Sequence, residues 1–131
     1  MPAKVLIVED DVLTALGMAD VVALAGYAVI GTARSVSEAV AKASTVQPNI
    51  VVFDIRLAGR RDGIEGAGIL KQMCGAEVVF ISAETDGAMV ERAEALEPVA
   101  FLSKPCPPRD LLSAVQKAAG PEQIPRFCCW I

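Results

Sequence analysis

Residues 49–57, NIVVFDIRL, decide the fold and raise the question of function. The four apolar residues 50–53 are typical of a strand that is buried on both faces of a parallel sheet. That strand ends in Asp54, and a carboxylate at the edge of an apolar core costs several kcal/mol unless another group compensates its charge. Asp54 is therefore either a turn residue that reaches water or part of a site.

Strand-like and helix-like segments alternate along the rest of the chain. The predicted strands are Lys4–Val8, Tyr27–Ala33, Ile50–Asp54, Glu77–Ser82 and Val99–Leu102. The predicted helices are Val12–Ala25, one between the capping box at Ser35 and Pro48, Ile64–Met73, Asp86–Leu96, and one that starts near Pro107 and continues from Leu111 to Ala119. Five successive strand–helix units predict an α/β fold, a parallel sheet with helices on both faces. We expect residues 1–120 to form one domain and residues 121–131 a C-terminal tail.

Composition narrows the class of protein. The chain has 131 residues, 53% hydrophobic and 5% aromatic, with a net charge of −4 and a pI near 4.8. An acidic chain without a basic cluster is a poor candidate for direct nucleic-acid binding. No apolar run has the length of a membrane span, and the first residues leave no room for a signal peptide. We expect a cytoplasmic protein.

Cysteine and histidine narrow the expected compartment and the possible kinds of site, respectively. The four cysteines, Cys74, Cys106, Cys128 and Cys129, lack the paired spacing of a zinc site, and we predict free thiols in a reducing compartment. The chain has no histidine, which excludes histidine-based metal sites, catalytic triads and phosphorylation of this chain on histidine.

Chemically active side chains follow four of the five predicted strands. Glu9 and Asp10 follow the first strand, Asp54 and Ser82 end the third and fourth, and Lys104 follows the fifth. Because the carboxyl ends of parallel strands meet at one edge of the sheet, we expect these groups to lie together. The three carboxylates would repel one another unless Lys104 and a divalent cation such as Mg²⁺ compensated their charge.

Such a pocket is suited to holding a phosphoryl group on a carboxylate nucleophile. In this interpretation Asp54 attacks phosphorus. Lys104 and the metal neutralise the phosphate oxygens, and Ser82 donates a hydrogen bond.

Four motifs at the strand ends, VLIVEDD, FDIRLAGRRDG, VVFISAE and FLSKP, carry a family resemblance. Residues 4–119 resemble the receiver domains of two-component response regulators. The resemblance implies a flavodoxin-like (βα)5 fold with strand order 2-1-3-4-5. It also implies that the chain is a phosphoacceptor rather than an enzyme. The phosphoacceptor would take its phosphoryl group from a histidine kinase or histidine phosphotransfer protein.

The resemblance also assigns roles to residues. They are Asp54 as phosphoacceptor, Asp10 and Asp54 as Mg²⁺ ligands, Glu9 as holder of a metal-bound water, the backbone carbonyl of Arg56 as a further metal ligand, Lys104 as the phosphate-binding lysine, and Ser82 with Phe101 as the switch pair. Two features depart from the commonest pattern. The loop from Asp54 to Asp62-Gly63 is one residue longer, with Ala58 where proline is frequent, and Phe101 stands where tyrosine is common. We interpret Asp62-Gly63 as turn and cap, without a role in the site.

The first predicted helix is almost entirely apolar, so some apolar residues must face outward. We predict that Ala15, Met18, Ala19 and Val22 form a docking patch, where by resemblance the kinase or phosphotransfer protein binds. The alternative is a helix whose apolar residues are covered by the core.

The tail ends in five apolar residues, 127–131. Although CCWI formally matches a prenylation box, the resemblance points to bacteria, where we do not expect this modification. We predict instead that Phe127 and Trp130 pack on the domain, a partner or a second copy; a disordered tail is the alternative. Because nothing follows residue 131, we expect a stand-alone switch that signals to a downstream protein. In this scheme a homodimer would form through helix four, strand five and helix five.

Other interpretations of the same residues remain. Asp10 and Asp11 could simply cap the first helix, Ser82 could be an N-cap, Lys104-Pro105 a plain turn, and Phe101 a core residue. A phosphohydrolase with an aspartate nucleophile would resemble a D-x-D pattern, but Arg56 stands at the second acidic position. A flavodoxin-like nucleotide binder would offer hydroxyls and glycines in its first loop, where Glu9-Asp10-Asp11 would repel phosphate.

Overall fold

The computed structural model describes residues 2–57, 62–83 and 86–120. The strands in these ranges are β1 (Lys4–Val8), β2 (Ala28–Ala33), β3 (Ile50–Asp54), β4 (Glu77–Ser82) and β5 (Ala100–Ser103). They form one parallel sheet in the order β2-β1-β3-β4-β5. The predicted fold class and strand order are therefore confirmed. β1, β3 and β4 have the predicted bounds, β2 begins one residue later than predicted, and both ends of β5 lie one residue later than predicted.

The helices that alternate with the strands are α1 (Val12–Leu24), α2 (Val36–Thr45), α3 (Gly63–Cys74), α4 (Gly87–Glu94) and α5 (Pro108–Ala119). Each of the first four begins after a side chain that accepts a hydrogen bond from the first turn, as is usual for N-caps. These caps are Asp11, Ser35, Asp62 and Asp86. α5 instead begins with a proline, whose missing N–H costs nothing at this position.

The sheet separates two apolar cores. On one face α1 and α5 contribute Met18 and Val115, which pack against Ile50 and Val52. On the other face α2 and α3 pack against Val51 and Phe53. Successive residues of β3 therefore point to opposite sides, which explains why its sequence is continuously apolar.

β3 lies at the centre of the sheet, between β1 and β4. The register pairs Val8 with Phe53 and Asp54 with Ile81. Asp54 is therefore the last residue of the central strand, at the edge where β1 and β4 also end. None of the helices in the described ranges is long and apolar enough to cross a membrane.

Candidate functional site: an acidic pocket at the carboxyl edge of the sheet

Asp54 is held in a fixed orientation at the end of β3. Its side chain is buried, with 4% of the residue exposed. Oδ1 accepts a hydrogen bond from the backbone N–H of Arg56 at 3.0 Å, and Oδ2 accepts one from Lys104 Nζ at 2.8 Å. The carboxylate is thus not a turn residue that reaches water, and it stands in a site.

Glu9 and Asp10 bring two further carboxylates to Asp54. Each of the three residues offers a carboxylate oxygen, and these atoms all lie within 4.8 Å of one another. The backbone N–H of Glu9 donates to Ala33 O at 2.9 Å, which fixes Glu9 between β1 and β2. The predicted acidic cluster is therefore present in the described structure.

Lys104 bridges the two buried carboxylates. Its Nζ donates to Glu9 Oε1 at 2.9 Å and to Asp54 Oδ2 at 2.8 Å. Its backbone N–H donates to Ser82 O at 2.9 Å, so the end of β4 positions the lysine. Partial burial opposes the charged form, but the bonds to Asp54 and Glu9 raise the pKa of Lys104 above its usual value.

Burial strongly affects the pKa of Glu9, a residue that is only 1% exposed. Loss of hydration, together with the neighbouring Asp54, raises the pKa of Glu9 to about 8, although Lys104 acts in the opposite direction. Its Oε2 atom is buried and has no hydrogen-bond partner within the described part of the chain. Lys104 therefore leaves one buried carboxylate oxygen of this pocket without a hydrogen-bond partner in the described ranges.

The donor set fits a hard divalent cation. Mg²⁺ is bound in proteins by one or two carboxylates together with waters and phosphate oxygens. Glu9, Asp10 and Asp54 offer such oxygens, and the unpaired Oε2 of Glu9 shows that acceptor capacity remains after Lys104 has bound. The residues present therefore fit the predicted Mg²⁺, and the role of the Arg56 carbonyl stays a prediction.

Ser82 and Phe101 lie on the neighbouring strands. Ser82, at the end of β4, is buried with 1% of the residue exposed. Phe101, on β5, is partly buried, and its ring packs on Phe80 with 6.2 Å between centroids and 48° between planes. These positions are compatible with a switch pair, but that role stays a prediction.

Asp11 and Asp62 act as helix caps. Asp11 Oδ1 accepts a bond from the N–H of Leu13 at 3.2 Å, and Oδ2 accepts one from Thr14 Oγ1 at 2.7 Å. Asp62 accepts one from the N–H of Glu65 at 2.9 Å. The capping interpretation thus holds for Asp11, whereas Asp10 joins the acidic cluster.

Gly63 supports the site in a way that sequence reasoning missed. Its N–H donates to Ile55 O at 2.8 Å, which brings the start of α3 against the end of β3. A Cβ at this position would lie 2.1 Å from the backbone oxygen of Asp54, so only glycine allows this approach. The cap interpretation is confirmed for Asp62, and Gly63 in addition packs against the backbone at the end of β3. No local signal reveals a contact with a residue so far back in the chain.

The predicted docking patch on α1 needs correction. Ala15, Met18 and Val22 are buried in the core that α1 shares with α5, and Ala19 is half-buried. The large exposed apolar residues of α1 are instead Val12, Leu13, Leu16 and Leu24. The alternative, a helix whose apolar residues are covered by the core, is right for Ala15, Met18 and Val22. Because α1 is apolar on nearly every side, only the packed structure shows which of its apolar residues face the sheet.

Some predictions fall on residues outside the described ranges, namely Ala58, Cys128, Cys129, Phe127, Trp130 and the whole tail 121–131. Cys74 and Cys106 are free thiols, as predicted. Burial raises the pKa of each of these two thiols.

Comparison with known proteins agrees with this geometry. The family model of the response regulator receiver domain matches residues 5–116. The chain belongs to the response regulator receiver domain family. It is 34% identical over 120 residues to the transcriptional regulatory protein PdtaR of Mycobacterium tuberculosis, a match that covers 92% of this chain and 58% of PdtaR. The receiver domain therefore spans little more than half the length of that relative.

Two other matches have nearly the length of this chain. The chain is 32% identical over 120 residues to the chemotaxis protein CheY of Thermotoga maritima, covering 91% of this chain and 99% of CheY. The signal receiver domain of a modulated diguanylate cyclase from Desulfovibrio desulfuricans G20 superposes with a TM-score of 0.84 at 33% identity, covering 90% of this chain and 94% of that domain. The family resemblance inferred from the four motifs is thus confirmed.

Proposed function

We propose that this receiver domain is a Mg²⁺-dependent phosphoacceptor that takes a phosphoryl group on Asp54 from a histidine kinase or histidine phosphotransfer protein. The observation that carries the proposal is the buried Asp54 carboxylate, which Lys104 contacts at 2.8 Å. Glu9 and Asp10 oxygens lie within 4.8 Å of its own. Membership of the family supports the same function.

The chemistry follows from these contacts. An oxygen of the ionised Asp54 carboxylate attacks the phosphorus atom and forms an acyl phosphate. The bond between phosphorus and the donor breaks, and the donor leaves with the electron pair. Lys104, released from part of its contact with Asp54, neutralises an oxygen of the transferred group.

Asp10 and Asp54 would hold the metal directly and Glu9 through a metal-bound water, with the Arg56 carbonyl as a further ligand. Bound there, Mg²⁺ supplies positive charge that offsets the charge of the phosphate oxygens. Removal of one negative charge, as in Asp10→Asn, should therefore weaken metal binding without moving the Asp54 nucleophile.

Signalling would follow from a shift between two packings of the same fold. The phosphoryl group adds charge beside Ser82, and Phe101 could then rotate inward from its present contact with Phe80. The surface formed by α4, β5 and α5 would change and alter the affinity for a downstream protein or a second copy.

Phosphotransfer is tested by intact-protein mass spectrometry after incubation with Mg²⁺ and acetyl phosphate. The wild-type chain should gain the mass of one phosphoryl group, and Asp54→Asn should gain none. Asp20→Asn, at an exposed aspartate of α1, is the matched control and should be labelled like wild type. Equal labelling of Asp54→Asn and wild type would contradict the assignment.

Signalling is tested separately, with beryllofluoride as a phosphate mimic. NMR shifts on addition of the mimic should extend from the pocket to Phe101 and the surface of α4, β5 and α5. Pull-down of partners with and without the mimic should give different sets. Shifts confined to the pocket would count against the proposed switch.

A further inference from the structure

α1 carries an apolar stripe that the described part of the chain leaves uncovered. Leu13, Leu16 and Leu24 are exposed to 79%, 52% and 78%. With the exposed Asp20 they lie three or four residues apart, so all four share one side of the helix. We call these four residues the outer face of α1. An exposed apolar stripe of this kind is a candidate docking surface.

The chain leaves the described structure next to this face. α1 and α5 pack in the same core, and both run from the carboxyl edge to the amino edge of the sheet. The last residues of α5, Ala118 and Ala119, line a cavity with Lys4 and Asn49, at the amino edge. Gly120, with φ of +78°, ends the helix. Gly120, the last described residue, therefore lies at the edge of the sheet where α1 also ends.

We propose that residues 121–131 of the same chain lie along the outer face of α1. The order of side chains in the tail matches the order on the outer face of α1 when the tail runs back toward the carboxyl edge of the sheet. The face presents Leu24, then Asp20, then Leu16 and Leu13. The tail offers Ile124, then Arg126, then Phe127 and Trp130.

The spacing of the first two residues on each side also matches. Leu24 and Asp20 are about 6 Å apart along a helix, and Ile124 and Arg126 are about 7 Å apart in an extended chain. Asp20 is the only charged residue on the outer face, and Arg126 is the only basic residue of the tail, so their charges are complementary. Pro121 and Pro125 disfavour a continuation of α5 and favour an extended segment.

The reach of the tail is sufficient. Leu13 and Leu24 are separated by about 16 Å of helix, whereas eleven extended residues span up to about 36 Å. The outer face is thus within reach of a single chain and needs no second copy. This placement does not depend on whether Asp54 accepts a phosphoryl group.

Fluorescence offers a direct test, since Trp130 is the only tryptophan of the chain. In the full-length protein the emission maximum of Trp130 should be shifted to the blue of that of the urea-unfolded chain. The double variant Leu16→Ser/Leu24→Ser should move the maximum back toward the unfolded value. Met73→Ser, at an α3 residue that is 40% exposed, is the matched control and should leave emission as in wild type.

Each other outcome would overturn the proposal. Wild-type emission equal to that of the unfolded chain would mean that the tail is not bound. A blue-shifted maximum that the α1 variants do not change would place the tail elsewhere, for example on the surface of α4, β5 and α5. A shift that disappears on dilution, together with a dimer in sedimentation, would place it on a second copy.

Discussion

At the scale of single residues, Lys104 holds two buried carboxylates that would otherwise repel each other. Replacing it by methionine in metal-free buffer at pH 8 should lower the free energy of unfolding by about 2 kcal/mol, because Glu9 and Asp54 lose their counter-charge. The side chain is 26% exposed, so solvent screening keeps the loss below that of a fully buried pair. Urea unfolding followed by circular dichroism measures this loss of stability. Lys117→Met, at an exposed lysine of α5, should change stability by less than about 0.5 kcal/mol. Equal losses in the two variants would contradict the bridge.

Glu9 predicts a pH dependence in the metal-free protein. Its pKa of about 8 in the folded state lies above the ordinary value of 4.5, so the folded chain keeps a proton that the unfolded chain releases. Its contribution to stability is complete below pH 4.5 and is lost as the pH rises toward 8. With EDTA present, the free energy of unfolding should fall by on the order of 3 kcal/mol between pH 5 and pH 8.

The matched variant for this prediction is Glu9→Gln, which cannot titrate and should show a flatter profile. The absence of histidine helps, because few other groups of the chain titrate in this interval. The same fall in wild type and Glu9→Gln would show that another group causes it.

Much of the site could be predicted at this scale, because strand ends place side chains by topology alone. Asp54, Glu9, Asp10, Ser82 and Lys104 were all identified from their positions after apolar runs. The Lys104 bridge to two acids could not be predicted, because it joins segments that are remote in sequence. The close approach of Gly63 could not be predicted either, because it depends on how tightly α3 packs against the end of β3.

At the scale of elements, α3 packs closely on α2 and β3 through Gly66. A Cβ there would lie 2.7 Å from Val36 Cγ2 and 3.1 Å from Phe53 Cε1. Gly66→Ala should therefore destabilise the fold by about 1–3 kcal/mol through overpacking. Gly68→Ala places its Cβ 3.6 Å from Leu96 Cδ2, an ordinary contact, and should stabilise α3 by up to about 1 kcal/mol. Thermal unfolding of both variants measures these changes in stability. An equal loss of stability at the two positions would contradict the close packing at Gly66.

The elements themselves were predictable wherever the sequence carries a boundary signal. Ser35 and Asp62 were predicted as caps and accept bonds from Glu38 and Glu65. The orientation of α1 was not predictable, because leucine, valine and alanine occur on every side of it. Only the packed sheet shows that Met18 faces inward and Leu16 outward.

At the scale of the whole molecule, Mg²⁺ should stabilise the folded chain. Folding assembles the cluster of Glu9, Asp10 and Asp54, so the metal binds the native state in preference. A hundredfold excess of free Mg²⁺ over its dissociation constant would add about 2.7 kcal/mol. Asp10→Ala should abolish the rise in melting temperature and should raise stability in EDTA, because it removes like-charge repulsion. Asp11→Ala loses a helix cap and should be less stable, but it should keep the full response to Mg²⁺. A rise of the same size in Asp10→Ala would show that Asp10 is not a ligand.

The central claim is that Asp54 carries the phosphoryl group, and site mapping by borohydride reduction tests it most directly. Borohydride converts an aspartyl phosphate into homoserine, which peptide mass spectrometry locates. After incubation with acetyl phosphate and Mg²⁺, homoserine should occur at residue 54 and should be missing from samples without Mg²⁺ or without the donor. Homoserine at Asp10 or Asp11, or a phosphoryl group that resists reduction and maps to Ser82, would contradict the claim.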